Sequence, residues 1–202
     1  MVVPEPETSD ETLATRAAAG DDSAFEAIVT RYQARVYRLA SRLTGNDADA
    51  FDALQDTFLL VYRHLASFRG DSRLGTWLYR IATNAALAHR RAQVRHAAVP
   101  LETFLPTFDA AGGHDSTPQE LQIVCRADEL IDRQLLADKA KDAIAQLPEL
   151  YRTPFVLRDL EDMPTADVAR VLEIEPAAVR QRVHRARLML RGYLSHLLGV
   201  KP

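Results

Sequence analysis

The chain predicts an all-α protein: two small helical domains joined by a flexible linker. Three observations carry that expectation. Apolar residues recur at three- and four-residue spacing along 22–43, 47–65 and 76–91. A stretch with prolines and glycines, 97–118, then breaks the periodicity. Residues 164–191 follow with the layout of a helix-turn-helix. No segment has a convincing strand pattern, and no internal repeat is visible.

Residues 1–20 begin MVVPEPETSDET and read as an acidic tail, too polar for a signal peptide. The first long helix spans Asp22 to Leu43, with Phe25, Ile28, Val29, Tyr32, Val36 and Leu39 on its apolar face. Gly45 stops it, and Asn46 or Asp47 caps the next helix, whose one face carries Phe51, Leu54, Phe58, Val61, Tyr62 and Leu65. A polar loop, Arg69–Arg73, follows, with Gly70 and Gly75 giving it freedom to reshape. A third helix starts near Thr76 and runs past Arg91, closing a first domain at 21–96. The linker is 97–118. Its Leu101, Phe104, Leu105 and Phe108 either dock on a partner or pack back on the chain. A second domain covers 119–198, with a break between helices at Leu147-Pro148.

The helix-turn-helix reads in detail. Thr165 is an N-cap candidate, and Val168, Val171 and Leu172 recur at helical spacing. Glu173-Ile174-Glu175 forms the turn, and Pro176 stands where a new helix begins, its missing N–H harmless there. In that helix Val179, Val183, Ala186 and Leu190 form an apolar stripe. Ala177, Gln181 and His184 point the opposite way, flanked by Arg180, Arg185 and Arg191, and Arg187 is a further DNA-contact candidate. One face packs inward while the other suits a major groove, where Gln and His bond base edges and arginines hold phosphates or read guanine.

The net charge of −3 argues against nucleic acid only if it is spread evenly, and it is not. Ser72–Leu101 contains no Asp or Glu but carries Arg73, Arg80, Arg90, Arg91 and Arg95. After Glu175 there is again no acid, and five arginines and Lys201 follow. Two basic patches in an acidic chain point to two DNA contacts, with the acidic parts facing something else. The single Cys125 excludes an internal disulfide and a multi-cysteine zinc site, which makes a reducing cytoplasm the default. Six scattered histidines give no H-x-x-x-H pattern, and there is no glycine-rich phosphate loop. No cofactor, metal or catalytic constellation is expected, so the chain does not read as an enzyme. No apolar run is long enough to span a bilayer, so no membrane insertion is expected.

Residues 67–91 are the second place where recognition is expected. A polar loop, Arg69, Asp71, Ser72 and Arg73, precedes a helix bearing Trp77, Tyr79, Arg80, Asn84, Arg90 and Arg91. Aromatic, amide and basic groups beside a loop suit an unstacked strand: bases stack, amides read edges, arginines hold the backbone. Trp77 fits either a core position or a stacking platform.

Three segments resemble the extracytoplasmic-function (ECF, group 4) RNA polymerase sigma factors of the sigma-70 family. The acidic helix Asp49-Ala50-Phe51-Asp52-Ala53-Leu54-Gln55-Asp56-Thr57-Phe58 resembles region 2.2, which docks on the polymerase clamp. Phe68-Arg69-Gly70 through Thr76-Trp77-Leu78 to Ile81-Ala82 and Asn84 resembles regions 2.3 and 2.4, which melt and read the −10 element. Leu147-Pro148, Phe155-Val156-Leu157-Arg158 and the helix-turn-helix through His184-Arg185-Ala186-Arg187 resemble region 4, which reads the −35 element. The resemblance implies core polymerase binding through Asp49, Asp52, Gln55, Asp56 and Phe58, with the beta-prime clamp and beta flap as the contacted parts. It implies promoter DNA as the ligand of both basic segments and an anti-sigma factor as a further partner. Two departures stand out: Phe51 where an acid is usual, and Glu173 where a glycine is usual. Phe51 implies an altered clamp surface or an added core contact, and Glu173 puts the turn geometry in question. The competing reading is a stand-alone helix-turn-helix regulator, which leaves the acidic helix and residues 67–91 unused.

Overall fold

The computed structural model describes residues 8–96 and 129–197. Among these residues every regular element is helical. In chain order they are α1 (Asp10–Ala18), α2 (Asp22–Thr44), α3 (Asp47–His64), a 3-10 turn (Leu65–Ser67), α4 (Leu74–His96), α5 (Glu129–Gln146), α6 (Glu149–Phe155), α7 (Thr165–Leu172) and α8 (Pro176–Leu197). The linker, its four large apolar residues and Cys125 lie outside the described residues.

The helices begin and end where local chemistry puts them. Asp21 caps α2 by accepting from the Ala24 N–H at 3.1 Å. Hydrogen bonds from Ser23, then from Arg16 and the Ala24 amide, hold its carboxyl down to about 2. Gly45 ends α2 in the left-handed region at φ 85°. Asn46 caps α3 reciprocally: its Oδ1 accepts from the Asp49 N–H at 2.8 Å, and its Nδ2 donates to Asp49 Oδ2 at 2.7 Å.

Three expectations need correction. Residues 10–18 form a helix rather than a tail. Ser9 caps it at 3.2 Å, Leu13 and Ala14 are buried, and Asp10 pairs with Arg31 at 2.6 Å and accepts the Tyr32 hydroxyl. Two buried residues are too few for a periodic signal. Gly75 is helical, not part of a mobile loop, and a Cβ there would meet Tyr32 Oη at 3.2 Å. Its role is close approach; Gly70, at φ 77°, is the loop's left-handed residue. Thr165 is the first residue of α7 rather than its cap, with Pro164 in the cap position and no side chain capping the helix.

Helices α2, α3 and α4 pack around Ile28, Val36, Leu39, Leu43, Val61 and Leu78, all essentially inaccessible. Each contributes about 1.5–3 kcal/mol by leaving water. Alanines at 50, 53, 82 and 86 let the helices approach closely. In the second unit Pro154 lies inside α6 and removes a donor, and the following turn, Val156–Leu160, widens to π geometry. The apolar cluster is continuous from the first unit into Val156, Leu157, Met163, Val168 and Val171 of the second. At its centre is Arg152, 2% exposed. Its Nε donates to the Leu147 carbonyl at 3.1 Å and its Nη1 to the Leu43 carbonyl at 3.2 Å. Arg90 Nη1 donates to the same Leu43 oxygen at 2.9 Å. Two cations thus meet the negative end of α2.

Candidate nucleic-acid interface

The turn between α7 and α8 fixes the first face. Glu173 takes the left-handed conformation, φ 54° and ψ 43°, and its N–H closes on the Ala169 carbonyl. This settles the question raised by the missing glycine: the turn forms, with a non-glycine residue held in a sparsely populated region. Pro176 opens α8 as expected. Val179, Val183, Ala186 and Leu190 are buried, which leaves Ala177, Arg180, Gln181, His184, Arg185 and Arg187 exposed along the opposite side. Two of these arginines are positioned by their own domain. Arg187 forms a two-pronged pair with Asp159, both contacts 2.8 Å, and this holds its guanidinium above the usual range. Arg185 Nη1 lies 3.4 Å from the Tyr151 hydroxyl.

The second face is built by Phe68–Arg73 and the start of α4. Arg69, Asp71 and Arg73 are exposed, Ser72 and Trp77 half-buried. Trp77 packs against Phe68 at 5.2 Å between ring centroids and also lines an open cavity of about 610 Å³. It is therefore part of the packing and part of the cavity wall at once. Further along, Asn84 and Arg80 are exposed. Their neighbours come from the second unit. Arg80 faces Glu173 at 3.5 Å, and Arg91 Nη2 and Nε reach Glu149 at 2.5 and 3.1 Å. Arg90 is half-buried and spends its guanidinium on the Leu43 carbonyl. In this arrangement it ties the second half of α4 to the end of α2. Tyr79, buried, donates to Glu161 Oε2 at 3.1 Å, and burial followed by the Glu161 charge pushes its hydroxyl up to about 12. Glu161 also pairs with Arg42. Sequence reasoning did not single out Glu149, Glu161 or Arg152. Their partners stand far away along the chain, and no local spacing announces them.

The acidic face of α3 turns Asp52, Gln55 and Asp56 to solvent, with Asp49 partly used by the cap and Phe58 packed against the core. Asp56 Oδ2 meets His89 Nε2 at 2.8 Å. Asp49, Asp52 and His89 each bring a ligand atom within 4.8 Å of one another. Phe51, Leu59 and Tyr62 are exposed on the same helix, so Phe51 and Tyr62 do not join the buried face expected of them, and Phe51 adds apolar surface rather than a core contact. Apolar residues ringed by charge have the composition of a protein-docking surface.

Two family models match the chain in order: sigma-70 region 2 over residues 28–96 and sigma-70 region 4 over 137–190. The chain is similar to the ECF RNA polymerase sigma-E factor of Haemophilus influenzae, 32% identical over 194 residues, which covers 94% of this chain and 97% of that protein. It is similar to the RNA polymerase sigma-H factor of Pseudomonas aeruginosa, 34% identical over 193 residues, covering 94% and 95%. Among solved structures its fold resembles the sigma factor RpoE in complex with the anti-sigma factor NepR from Bartonella quintana. That match has a TM-score of 0.61 at 22% identity and covers 85% of this chain and 96% of that one. The chain belongs to the ECF RNA polymerase sigma factors of the sigma-70 family, transcription initiation factors that bind core polymerase and direct it to promoters. The first helical unit is region 2 and the second region 4. No helix among the described residues is long and apolar enough to cross a membrane.

Proposed function

We propose a division of labour among three faces. The exposed row of α8, Ala177, Arg180, Gln181, His184, Arg185 and Arg187, reads the −35 duplex. The loop 69–73 with Trp77, Arg80, Asn84 and Arg91 receives the unstacked −10 strand. Asp52, Gln55 and Asp56, with Phe51 among them, dock on the polymerase clamp. The observation that carries the proposal is the sidedness of α8: four buried apolar residues on one side and base-reading side chains on the other. The stand-alone regulator leaves the α3 face and the 69–73 loop without a task. The chain works in the cytoplasm, where polymerase is, as a factor rather than a catalyst. An anti-sigma partner is supported by the fold it shares with a sigma factor solved in such a complex.

Run-off transcription with core polymerase tests this assignment. R180A/Q181A is expected to relax base preference upstream only, each bidentate contact being worth about 1–3 kcal/mol. D52K/D56K is expected to weaken core binding with helicity intact. A change of preference confined to the −10 bases in R180A/Q181A overturns the assignment of α8.

A further inference from the structure

We infer that Asp159 is a positioning residue for upstream DNA: it presents the Arg187 guanidinium to a phosphate at the edge of the −35 duplex. The inference rests on the −35 reading of α8 given above and deepens it.

The geometry of the pair carries it. Asp159 Oδ2 accepts from Arg187 Nε and Oδ1 accepts from Nη2, both at 2.8 Å. A guanidinium has five N–H donors in one plane, and the carboxylate takes two of them along one edge. The others, on Nη1 and Nη2, meet no acceptor among the described residues. They form a second parallel fork on the far edge, the shape that a phosphate accepts in two-pronged fashion. The two partners are exposed unequally: the Arg187 side chain is 59% exposed and that of Asp159 16%. The acid is set into the protein, and the cation faces out.

The mount of Asp159 is firm. It lies in the widened turn Val156–Leu160, where Val156 and Leu157 are fully buried and the Glu161 N–H closes on the Val156 carbonyl at 2.9 Å. Arg187 comes from α8, two turns beyond Arg180 and on the same flank, about 10 Å further along the helix. A recognition helix reads bases with its N-terminal residues, so its later turns stand beside the DNA backbone. Ala177 and Gln181 lie opposite the buried stripe of α8, whereas Arg187 is about a quarter turn from it. That place suits a phosphate rather than a base edge. A free arginine loses rotamer freedom when it binds; one already held by a carboxylate has lost it on folding. As a plain charge, an acid beside DNA does the reverse: it repels phosphate, and its removal tightens binding. Positioning and plain charge therefore move affinity in opposite directions.

The test uses holoenzyme, the full chain with core polymerase, and the duplex of a promoter mapped by run-off transcription. D159A is expected to weaken promoter binding by about two- to tenfold, the cost of ordering one long side chain at the moment of binding. D159N keeps the shape and one acceptor; it should show a smaller loss in the same direction, and it guards against loss of fold. R187A should lower the slope of log affinity against log salt by about one, as loss of a phosphate contact does. A pair that served packing alone would leave that slope untouched. D159A/R187A should bind no worse than R187A, and upstream base preference should hold in all of these variants. A D159A or D159N holoenzyme that binds as tightly as the reference, or more tightly, overturns the inference. So does an unchanged salt slope in R187A, or a full D159A loss repeated in the R187A background. Failure of the −35 reading is separately visible: R180A/Q181A would then leave upstream base preference untouched. A changed preference in that variant beside indifferent Asp159 variants overturns the positioning role alone.

Discussion

The two faces proposed for DNA differ in what their side chains do in the free protein. On α8, Arg180, Gln181 and His184 make no hydrogen bond or ion pair among the described residues. On α4, Arg80, Arg90 and Arg91 are engaged by a carboxylate, a helix-end carbonyl and a carboxylate. A duplex can be met by an open surface, because its phosphates and groove edges are accessible from the start. A single strand exists only after melting, and a face that binds extruded bases gains from being covered until then. The contrast also locates stability: substitutions at Arg180, Gln181 and His184 should be silent in folding, whereas Arg187, paired with Asp159, and the α4 joint should not be.

The strongest way to break this contrast is at Arg152. Its guanidinium serves the Leu147 and Leu43 carbonyls inside a buried joint. R152M keeps roughly the volume and removes every donor; the Leu43 carbonyl keeps its bond from Arg90, while the Leu147 carbonyl loses the guanidinium, at a cost of up to about 3 kcal/mol. Thermal unfolding followed by circular dichroism should show the loss, with α6 separating from α2. A midpoint within a degree of the reference protein would mean that water replaces the guanidinium without cost.

Next in size is the open face. R180A and Q181A should each lower −35 discrimination by about 1–3 kcal/mol, while the unfolding midpoint stays put. R180A should also flatten the salt dependence of promoter binding if its contact is to a phosphate, and relax base choice if it is to guanine. Coupled losses of stability and binding would show α8 to be less independent than its exposed side chains indicate.

Much of this was legible in the chain. The periodic residues of α2, α3 and α4, the stops at Gly45 and Leu147-Pro148, and the sidedness of α8 all follow from local spacing, and the structure reproduces them. What escaped was of two kinds. Helix α1 has only Leu13 and Ala14 to bury, and its stability comes from the Ser9 cap and the Asp10 pair with Arg31. The joint was invisible because Arg42–Glu161, Arg91–Glu149 and Arg80–Glu173 join residues far apart in sequence. Charged residues on a helix read as a solvated face until the partner helix is seen. Glu173 is the instructive exception: its oddity showed in the sequence, and its partner only in three dimensions.

Tyr79 offers a pH handle on the joint. Its hydroxyl is pushed up to about 12, first by burial and then by Glu161. The neutral form is therefore the one the folded joint holds. Its contribution is complete below the ordinary tyrosine value near 10 and is lost as pH rises through about 12. The thermal unfolding midpoint should fall across that window. In Y79F, which cannot ionise, the alkaline step should shrink. An identical step in both proteins would assign the alkaline loss to other groups.

The smallest expected effect is at Thr153. It sits on α6, 4% exposed, beside a cavity that also touches Asn84 and Leu87 of α4. Its hydroxyl oxygen has no hydrogen-bond partner, and the same holds for Thr83 within region 2. A buried hydroxyl without a partner loses its hydration and gains nothing in return. Valine has the same shape without the hydroxyl, so T153V and T83V should each be neutral or stabilising by up to about 1 kcal/mol. The pair separates the two halves of the contrast. T83V should leave the unfolding midpoint unchanged or raise it through the packing inside region 2 alone. T153V should leave the midpoint unchanged or raise it through the packing of α6 against α4. A T153V protein that is less stable than the reference would mean that its hydroxyl has found a bonding partner in solution, and the joint would then be wetter than its packing implies.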